Sequence, residues 1–445
     1  MPEFKIAIAT LGCKVNQFES AALSDRITSM GHRVVPFSGP ADVYIVNTCT
    51  VTGKTDFQSR QLVRRAARAN PDAAIIVTGC YSQSSPEHFS GLDGVRLVTG
   101  NAEKDRIPDL IAGIAVEAPS LKGATLMVGD IRGQSKISAL APGSFRDRTR
   151  AFFRVQDGCD SECSYCIVPR VRGRSRSLPL ELVKSRLGEL AAAGHREAVF
   201  TGIHLGMYGR DLDPAISLLD MLRKIEKGPS LERVRLSSIE PLEVEKGLIE
   251  FIRDSDFVCP HLHIPLQSGD DDILAAMNRH YDSSLYVGLA KAVLEAVPSL
   301  ALGTDVMTGF PGESEKNFDN TLGLVSSIPF AYIHVFPYSD RPGTAASAMR
   351  AKVPAEVKNR RAATLREIGK QKRESFARRF VGSSLPVLIE GRKDRETGFL
   401  KGFSGNYIPV LAVNADSADI NTIVQVRGET AENGKIIGRI ERNER

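Results

Sequence analysis

No apolar run in this 445-residue sequence reaches the length needed to cross a bilayer. The N-terminus, Met1-Pro2-Glu3-Phe4, has neither a basic n-region nor a cleavage site, and its apolar stretch reads as a first strand. A cytoplasmic protein without a membrane partner is therefore expected. The seven cysteines are odd in number and lack disulfide-scaffold spacing. That fits a reducing compartment and thiols reserved for metal chemistry. No Gly-x-Gly-x-x-Gly opens a helix after a strand, so a dinucleotide site has no support. Gly53-Lys54-Thr55 imitates the end of a P-loop, but the first glycine of that motif would stand where Thr48 is. No convincing acid–base dyad emerges either. What remains is a chain of globular composition, 42% hydrophobic and 25% charged, long enough for two to four domains.

Six of the seven cysteines fall into two triplets. The tighter one is Cys159-x3-Cys163-x2-Cys166, in the run from Gln156 to Cys166. A loop with three thiolates can hold three irons of a [4Fe–4S] cube and leave the fourth open to another ligand. A closed zinc site would need four ligands, and no further Cys or His follows nearby to supply one. The second triplet is spread out. Cys13 follows Phe4–Thr10, Cys49 follows Val43–Asn47 and Cys80 follows Ala74–Thr78, each a short β-branched run that reads as a buried strand. Helical patterns at Gln17–Met30 and Asp56–Ala69 lie between them. Such alternation predicts a parallel sheet, and ligands bind outside the carboxyl ends of its strands. All three cysteines sit at that edge, the alternative being three unrelated buried cysteines.

The stretch Pro119–Arg150 is rich in Gly, Ser and Ala with a basic end (Arg146, Arg148, Arg150) and reads as a connector; residues 1–118 form the first expected domain, 119–144 the connector between domains and 145–380 the second domain. There the alternation resumes, with strand candidates at Ala198–Phe200, Val234–Leu236, His261–Ile264, Leu302–Met307 and Tyr332–Phe336. Helical patterns intervene at Leu180–Ala193, Leu218–Lys227, Asp271–Met277 and Ser284–Ala296. A βα-repeat barrel or part-barrel follows, with functional residues at the C-terminal strand ends. Residues 381–445 carry short alternating runs (Leu385–Glu390, Tyr407–Val413, Thr422–Val426, Lys435–Ile440), as in a small closed β-barrel of the OB type. Its few aromatics, Phe399, Phe403 and Tyr407, suggest a reader of shape and phosphate rather than a base-stacking platform.

The net charge of +5 is unevenly placed. Arg170, Arg172, Arg174 and Arg176 follow the cysteine loop, and a second basic stretch from Lys358 to Arg379 includes Arg360, Arg361, Arg366, Lys370, Lys372, Arg373 and Arg378. Only Glu367 and Glu374 offset it. These tracts point to a polyanionic partner, the alternative for the second being a solvated helix face. Cys259, His261 and His263 alternate, so a strand presents all three on one face, either as a mononuclear metal site or as polar lining of a barrel cavity. Tyr165, just before the last loop cysteine, is placed to contact a planar ligand.

With these residues in view, the chain resembles the radical S-adenosylmethionine methylthiotransferase family over nearly its whole length. The cysteine loop with an aromatic before its last member is similar to the superfamily signature. Thr10–Gln17, Asn47–Thr52 and Thr78–Cys80 resemble the three cysteine motifs of the family's N-terminal domain. His263–Gly269 and Thr304–Glu313 resemble its internal barrel motifs, and the C-terminal barrel resembles the RNA-binding TRAM domain. Leu11–Gln17 and Gln156–Cys159 look most like the branch acting on threonylcarbamoyladenosine in tRNA. The isopentenyladenosine branch tends to carry Gln-Met-Asn after the first cysteine, and the ribosomal-protein branch Pro-Lys-Asn.

The resemblance implies an α/β fold in three parts and two [4Fe–4S] clusters. Cys159, Cys163 and Cys166 would hold the radical-generating cluster, and Cys13, Cys49 and Cys80 the auxiliary one. One S-adenosylmethionine would methylate a cluster sulfur. A second would yield the radical that allows delivery to carbon 2 of adenine, the cofactor carrying this chemistry. Tyr165, Ser238, Glu240, Gln267 and Asp305 are candidates for the cofactor cavity, and no catalytic residue is named beyond the cluster ligands. Arg170, Arg172, Arg174, Arg176 and Arg373 are candidates for RNA. Implied partners are the tRNA anticodon loop, an electron donor such as flavodoxin or ferredoxin, and a sulfur source. A non-catalytic iron–sulfur or zinc RNA-binding protein is the rival of another class, and would release no 5′-deoxyadenosine.

Overall fold

The computed structural model describes residues 3–117, 123–138, 140–143, 148–228 and 231–442. Met1, Pro2 and Arg146, and the expected boundary positions Ala118, Pro119, Ser144 and Phe145, lie outside the described residues.

The N-terminal run of strands builds one six-stranded parallel sheet. Its strands are β1 (Lys5–Thr10), β2 (Arg33–Val35), β3 (Val43–Thr48), β4 (Ala74–Gly79), β5 (Val95–Thr99) and β6 (Thr125–Met127), in the order β2-β1-β3-β4-β5-β6. Every residue of β3 and β4 is buried, as expected for β-branched strands covered on both faces. Helices α1 (Lys14–Ser29), α2 (Gly53–Ala69) and α3 (Cys80–Ser84) start directly beyond β1, β3 and β4. Gly53-Lys54-Thr55 is simply the first turn of α2, where Thr52 and Thr55 form a reciprocal capping box.

The central region holds six more parallel strands. Three of them, β7 (Arg150–Arg154), β10 (Glu197–Thr201) and β11 (Arg233–Leu236), make one sheet in the order β11-β10-β7. The other three, β12 (His261–His263), β13 (Ala301–Thr308) and β14 (Tyr332–Pro337), make a second. Parallel bridges Val234–Val258 and Ser238–His263 join the two into an open part-barrel. Strand β7 begins within the stretch that composition marked as connector, because Arg150 and Arg154 mask the apolar Ala151-Phe152-Phe153. A short ladder, β8 (Gln156–Asp157) against β9 (Arg176–Ser177), closes the base of the cysteine loop.

Beyond the helix Ala355–Arg378 the chain forms a closed five-stranded barrel, ordered β15-β16-β17-β19-β18. The strands are β15 (Ser384–Lys393), β16 (Leu400–Ser404), β17 (Pro409–Ala412), β18 (Ile423–Glu432) and β19 (Lys435–Ile440). The alternating runs anticipate this barrel but not β16. Among the described residues no helix is long and apolar enough to cross a membrane.

Two arginines on β11 fasten the barrel to the part-barrel. Arg233 donates to the carbonyls of Pro386 (3.0 Å) and Phe403 (2.9 Å), and Arg235 to those of Gly405 (2.7 Å) and Ser404 (3.1 Å). Both also pair with Glu197 on β10, at 2.7 and 2.9 Å, and Glu197 is fully buried. Burial alone would raise the Glu197 pKa, but Arg235 and Arg233 hold it down at about 2, from an ordinary 4.5. A depressed carboxyl contributes its stability above the unfolded value and loses it as pH falls. Glu197→Gln is therefore expected to cost about 3–5 kcal/mol at neutral pH by urea unfolding. The variant should also lose part of the acid sensitivity that the native protein shows between pH 4.5 and about 2.

Candidate functional site

The three strand-end cysteines converge as the fold predicts. Cys13 caps α1, Cys49 follows β3 and Cys80 opens α3. Gly12 precedes Cys13 at φ +100°, and a Cβ there would lie 2.8 Å from Cys49 Cβ and 2.9 Å from its Sγ. Gly79, at φ +106°, would put a Cβ 2.4 Å from the Thr48 carbonyl. Only glycine permits both conformation and approach at these two places. Burial first, and the Cys80 and Cys13 sulfurs next to it, push the Cys49 thiol up to about 12. Cys13 is exposed by contrast, but it opens into a cavity rather than onto the outer surface.

The loop cysteines form the second group. Cys166 is pushed up to about 12, chiefly by burial, with Cys163 and Cys159 adding to it. His204 Nδ1 lies 3.3 Å from Cys159 Sγ and its Nε2 lies 2.5 Å from Glu243. Burial opposes its charge, yet its partners Cys159 and Glu243 raise its pKa to about 10. Arg279 reaches Cys163 Sγ at 3.3 Å and pairs with Glu240. Tyr165 is half-buried, edge-on to Phe310 at 6.5 Å. Sequence reasoning missed His204, Glu243 and Arg279. The signal for His204 was its place just past β10; Arg279 carried none.

The two triplets meet through the helix Val168–Arg172, which packs on α3. Cys80, Ile167 and Val171 form one buried cluster, and Asn101 Nδ2 donates to the Val171 carbonyl at 2.7 Å. Arg172 Nε lies 3.4 Å from Cys80 Sγ. This corrects the expectation for two of the four arginines after the loop. Arg172 is fully buried, pairing with Glu19 at 2.5 Å and Asp157 at 3.3 Å and donating to Asn16. Arg176 is buried too and donates to the Arg172 carbonyl at 2.6 Å. Neither can reach an RNA phosphate. Arg170 and Arg174 are exposed.

Glu19 also pairs with Lys104 and, at 3.2 Å, with Arg154. Two carboxylates, Glu19 and Asp157, thus face four buried cations, Lys104, Arg154, Arg172 and Arg176. Buried charge is retained only when it is compensated. The surplus of positive charge lies against Cys80 and Cys13, and both sulfurs act on Arg172. An anionic thiolate–metal group fits that environment, whereas three neutral thiols would leave the cations uncompensated.

A cavity of about 900 Å³ runs from Cys13 and Cys49 past Ser238, His263 and Asp305 to the barrel. His261 and His263 share the Tyr332 hydroxyl at 2.8 and 3.0 Å. His263 and His334 lie 3.0 and 3.3 Å from Asp305 Oδ1. Burial would raise the Asp305 pKa, but these two histidines hold it well below the carboxylate range. Cys259 is buried and stands apart from this group, so the three alternating residues do not share one ion. His263, Asp305 and His334 come close enough to chelate a cation, but at these spacings they bond to one another. The cofactor candidates thus divide. Tyr165 and Glu240 lie beside the loop cysteines, and Ser238 and Asp305 line the cavity. Gln267, at φ +63°, bridges to Val306 through its backbone.

Two of the barrel's aromatics turn inward. Phe403 and Tyr407 stack at 5.3 Å in the cavity wall, under the guanidiniums of Arg150 and Arg235. The basic helix is also less free than its composition suggests. Arg361 is buried against Glu313 at 2.6 Å, Arg360 pairs with Glu315 at 2.8 Å, and Lys372 donates to the Ile328 carbonyl at 2.6 Å. Glu313 and Glu315 thus offset charge that composition left uncompensated. Arg373 is exposed and lines the cavity.

Comparison with known proteins agrees with this geometry. Residues 5–100 match the family described as Uncharacterized protein family UPF0004, and residues 153–325 match the Radical SAM superfamily. The chain is 37% identical over 385 residues to the threonylcarbamoyladenosine tRNA methylthiotransferase MtaB of Aquifex aeolicus, covering 86% of this chain and 92% of that one. It is 36% identical over 427 residues to the Bacillus subtilis protein of the same name, covering 95% and 93%. It is 32% identical over 440 residues to the tRNA-2-methylthio-N(6)-dimethylallyladenosine synthase of Acetivibrio thermocellus, covering 97% and 90%. The radical S-adenosylmethionine methyltransferase TsrM of Kitasatospora setae shares the fold at a TM-score of 0.55 and 15% identity, over 78% of this chain and 77% of that one. Likeness that spans both matched regions and nearly the full length of these relatives places the chain in the radical S-adenosylmethionine methylthiotransferase family.

Proposed function

We propose that the protein adds a methylthio group to carbon 2 of N6-threonylcarbamoyladenosine beside the anticodon of tRNA, working in the cytoplasm. The observation that carries this reading is the single cavity with Cys13 and Cys49 in one wall and the RNA-type barrel in the other. The relatives that bear the threonylcarbamoyladenosine name, at 35–38% identity, support that base over dimethylallyladenosine, whose synthases stand at 30–32%.

The family's cofactors are S-adenosylmethionine and [4Fe–4S] clusters. Cys159, Cys163 and Cys166 would hold one cluster and Cys13, Cys49 and Cys80 another. When bound, these groups supply one-electron cleavage of the sulfonium at the first and a transferable sulfur at the second. The chain's own residues do the positioning. The pairs Arg279–Glu240 and His204–Glu243 fix charge around the loop thiols, with Tyr165 and Gln267 completing the S-adenosylmethionine side. Arg172 lies against the Cys80 sulfur, and its charge works against the burial that raises the Cys13 thiol pKa. His263 and His334 keep Asp305 ionised in the substrate wall, beside Ser238. Arg170 and Arg174 meet the RNA from outside, and Arg373 faces the target nucleotide from the cavity wall. An electron donor of the flavodoxin or ferredoxin kind and a sulfur source complete the turnover.

Anaerobic incubation with S-adenosylmethionine, a reductant and tRNA bearing threonylcarbamoyladenosine should yield the methylthio nucleoside and 5′-deoxyadenosine. Neither product would form with a binding protein. Gly12→Ala is expected to cost about 1–2 kcal/mol in unfolding free energy, because alanine is strained at φ +100°. It should also lower the iron retained per chain, since the new Cβ strikes Cys49.

A further inference from the structure

The cavity's positive charges divide into those already used and those still free. Arg235 spends its donors on Glu197 and on the Ser404 and Gly405 carbonyls. Lys14 and Arg373 also line the cavity, yet neither makes a hydrogen bond or ion pair with any described residue. The carboxylate among the cavity residues, Asp305, is already taken by His263 and His334. Two cations thus face a recessed space whose carboxylate is already taken, where the acidic groups beside Lys14 are the Tyr407 phenol and the Cys13 sulfur, and a ligand anion is what such a site selects.

Arg373 is held for this task by packing. Its stem lies against the turn between β18 and β19, where a Cβ on Gly434 would fall 2.4 Å from Arg373 Cγ. Next to it, Glu374 accepts from the Gly434 N–H at 2.6 Å. Lys14 stands one residue past Cys13, at the end of the cavity where sulfur would be delivered. On a purine, C2 and C6 both flank N1, so a substituent on N6 leaves the base along the edge that carries C2. A base with C2 toward Cys13 and Cys49 therefore sends its N6 group into the cavity that Lys14 and Arg373 both line.

We propose that Lys14 and Arg373 seat the carboxylate of an amino-acid substituent on N6 of the target adenine, and so select a carboxylate-bearing base over an uncharged one. This rests on threonylcarbamoyladenosine as the substrate. A charge-assisted contact of this kind is about twice as strong as a neutral one and specifies its partner geometrically. An RNA phosphate would offer the same charge, and the test separates the two sources.

Two anticodon stem-loop RNAs of one sequence are needed, one with native threonylcarbamoyladenosine and one with its carboxyl group converted to the amide. Equilibrium binding to the anaerobically reconstituted holoenzyme is read by fluorescence anisotropy at one fixed salt concentration. The native enzyme should bind the carboxylate RNA about tenfold or more tighter than the amide RNA. Lys14→Met and Arg373→Gln should each remove about tenfold of affinity for the carboxylate RNA and shift the amide RNA by less than about twofold. Equal weakening of both RNAs would mean phosphate contacts and overturn the proposal, as would a native enzyme that does not discriminate. If Lys14→Met disturbs the neighbouring cysteine and cannot be purified folded, Arg373→Gln alone decides. A native enzyme that binds the carboxylate RNA selectively but never methylthiolates it would refute the substrate assignment and leave the carboxylate seat standing.

Discussion

Replacement of Cys163 by alanine should abolish 5′-deoxyadenosine release altogether. The loop offers three thiols, with Arg279 placed against the Cys163 sulfur at 3.3 Å. Among the described residues, no other cysteine is grouped with these three. Removing one ligand of three should leave the cube without a stable seat. Iron should fall from about eight to about four per chain, because the strand-end triplet keeps its own set. Methylthiolation must vanish with the radical. Folding should survive, since the loop is closed at its base by the β8–β9 ladder and carries little of the buried core. Iron content, circular dichroism and chromatographic detection of 5′-deoxyadenosine check the three parts separately.

Cys49→Ala should separate the two halves of the chemistry. Iron should again fall to about four per chain, but from the other triplet. S-adenosylmethionine cleavage should stay within about twofold of the native rate, because the loop cysteines and their Arg279 and His204 partners are untouched. Sulfur insertion should drop below detection. The substitution is small and the site is buried, so the expected cost in stability is about 1–2 kcal/mol from lost packing. Full methylthiolation by Cys49→Ala would show that the strand-end cysteines are structural, and the assignment of a second cluster would fall. Loss of both reactions would mean that the two groups of thiols act as one unit.

Much of this site was legible because its chemistry is written in local patterns. A cysteine one to three residues beyond a β-branched run must sit at the carboxyl edge of a parallel sheet, so three such runs predict three thiols together. The closed barrel was legible from short alternating runs, and the cavity-lining role of His261 and His263 from their spacing of two. The buried charges were not. Arg172 and Arg176 look like surface charge beside Arg170 and Arg174, since Arg172's partner Glu19 lies 153 positions away and Arg176 is buried on Asp157 and the Arg172 carbonyl. A run of sequence shows charge but not the long-range pairing that buries it. Strand β7 escaped for a related reason, because Arg150 and Arg154 are held by Glu390 and Glu19 rather than by water. Phe403 and Tyr407 are few, as the sequence shows, but their inward stacking on Arg150 and Arg235 depends on how the barrel docks. Arg279 and Glu243 had no pattern of their own. Their role follows only from the folded distances to the loop cysteines and His204.

The central claim is the reaction and its substrate, and nucleoside mass spectrometry of tRNA tests both at once. tRNA would be taken from cells lacking the gene, and from the same cells with the gene returned. The methylthio form of threonylcarbamoyladenosine should be absent from the first, with its unmodified precursor accumulating, and restored in the second. An unchanged level of that nucleoside in both would contradict the substrate assignment, and the radical chemistry would then have to act on isopentenyladenosine or a ribosomal protein.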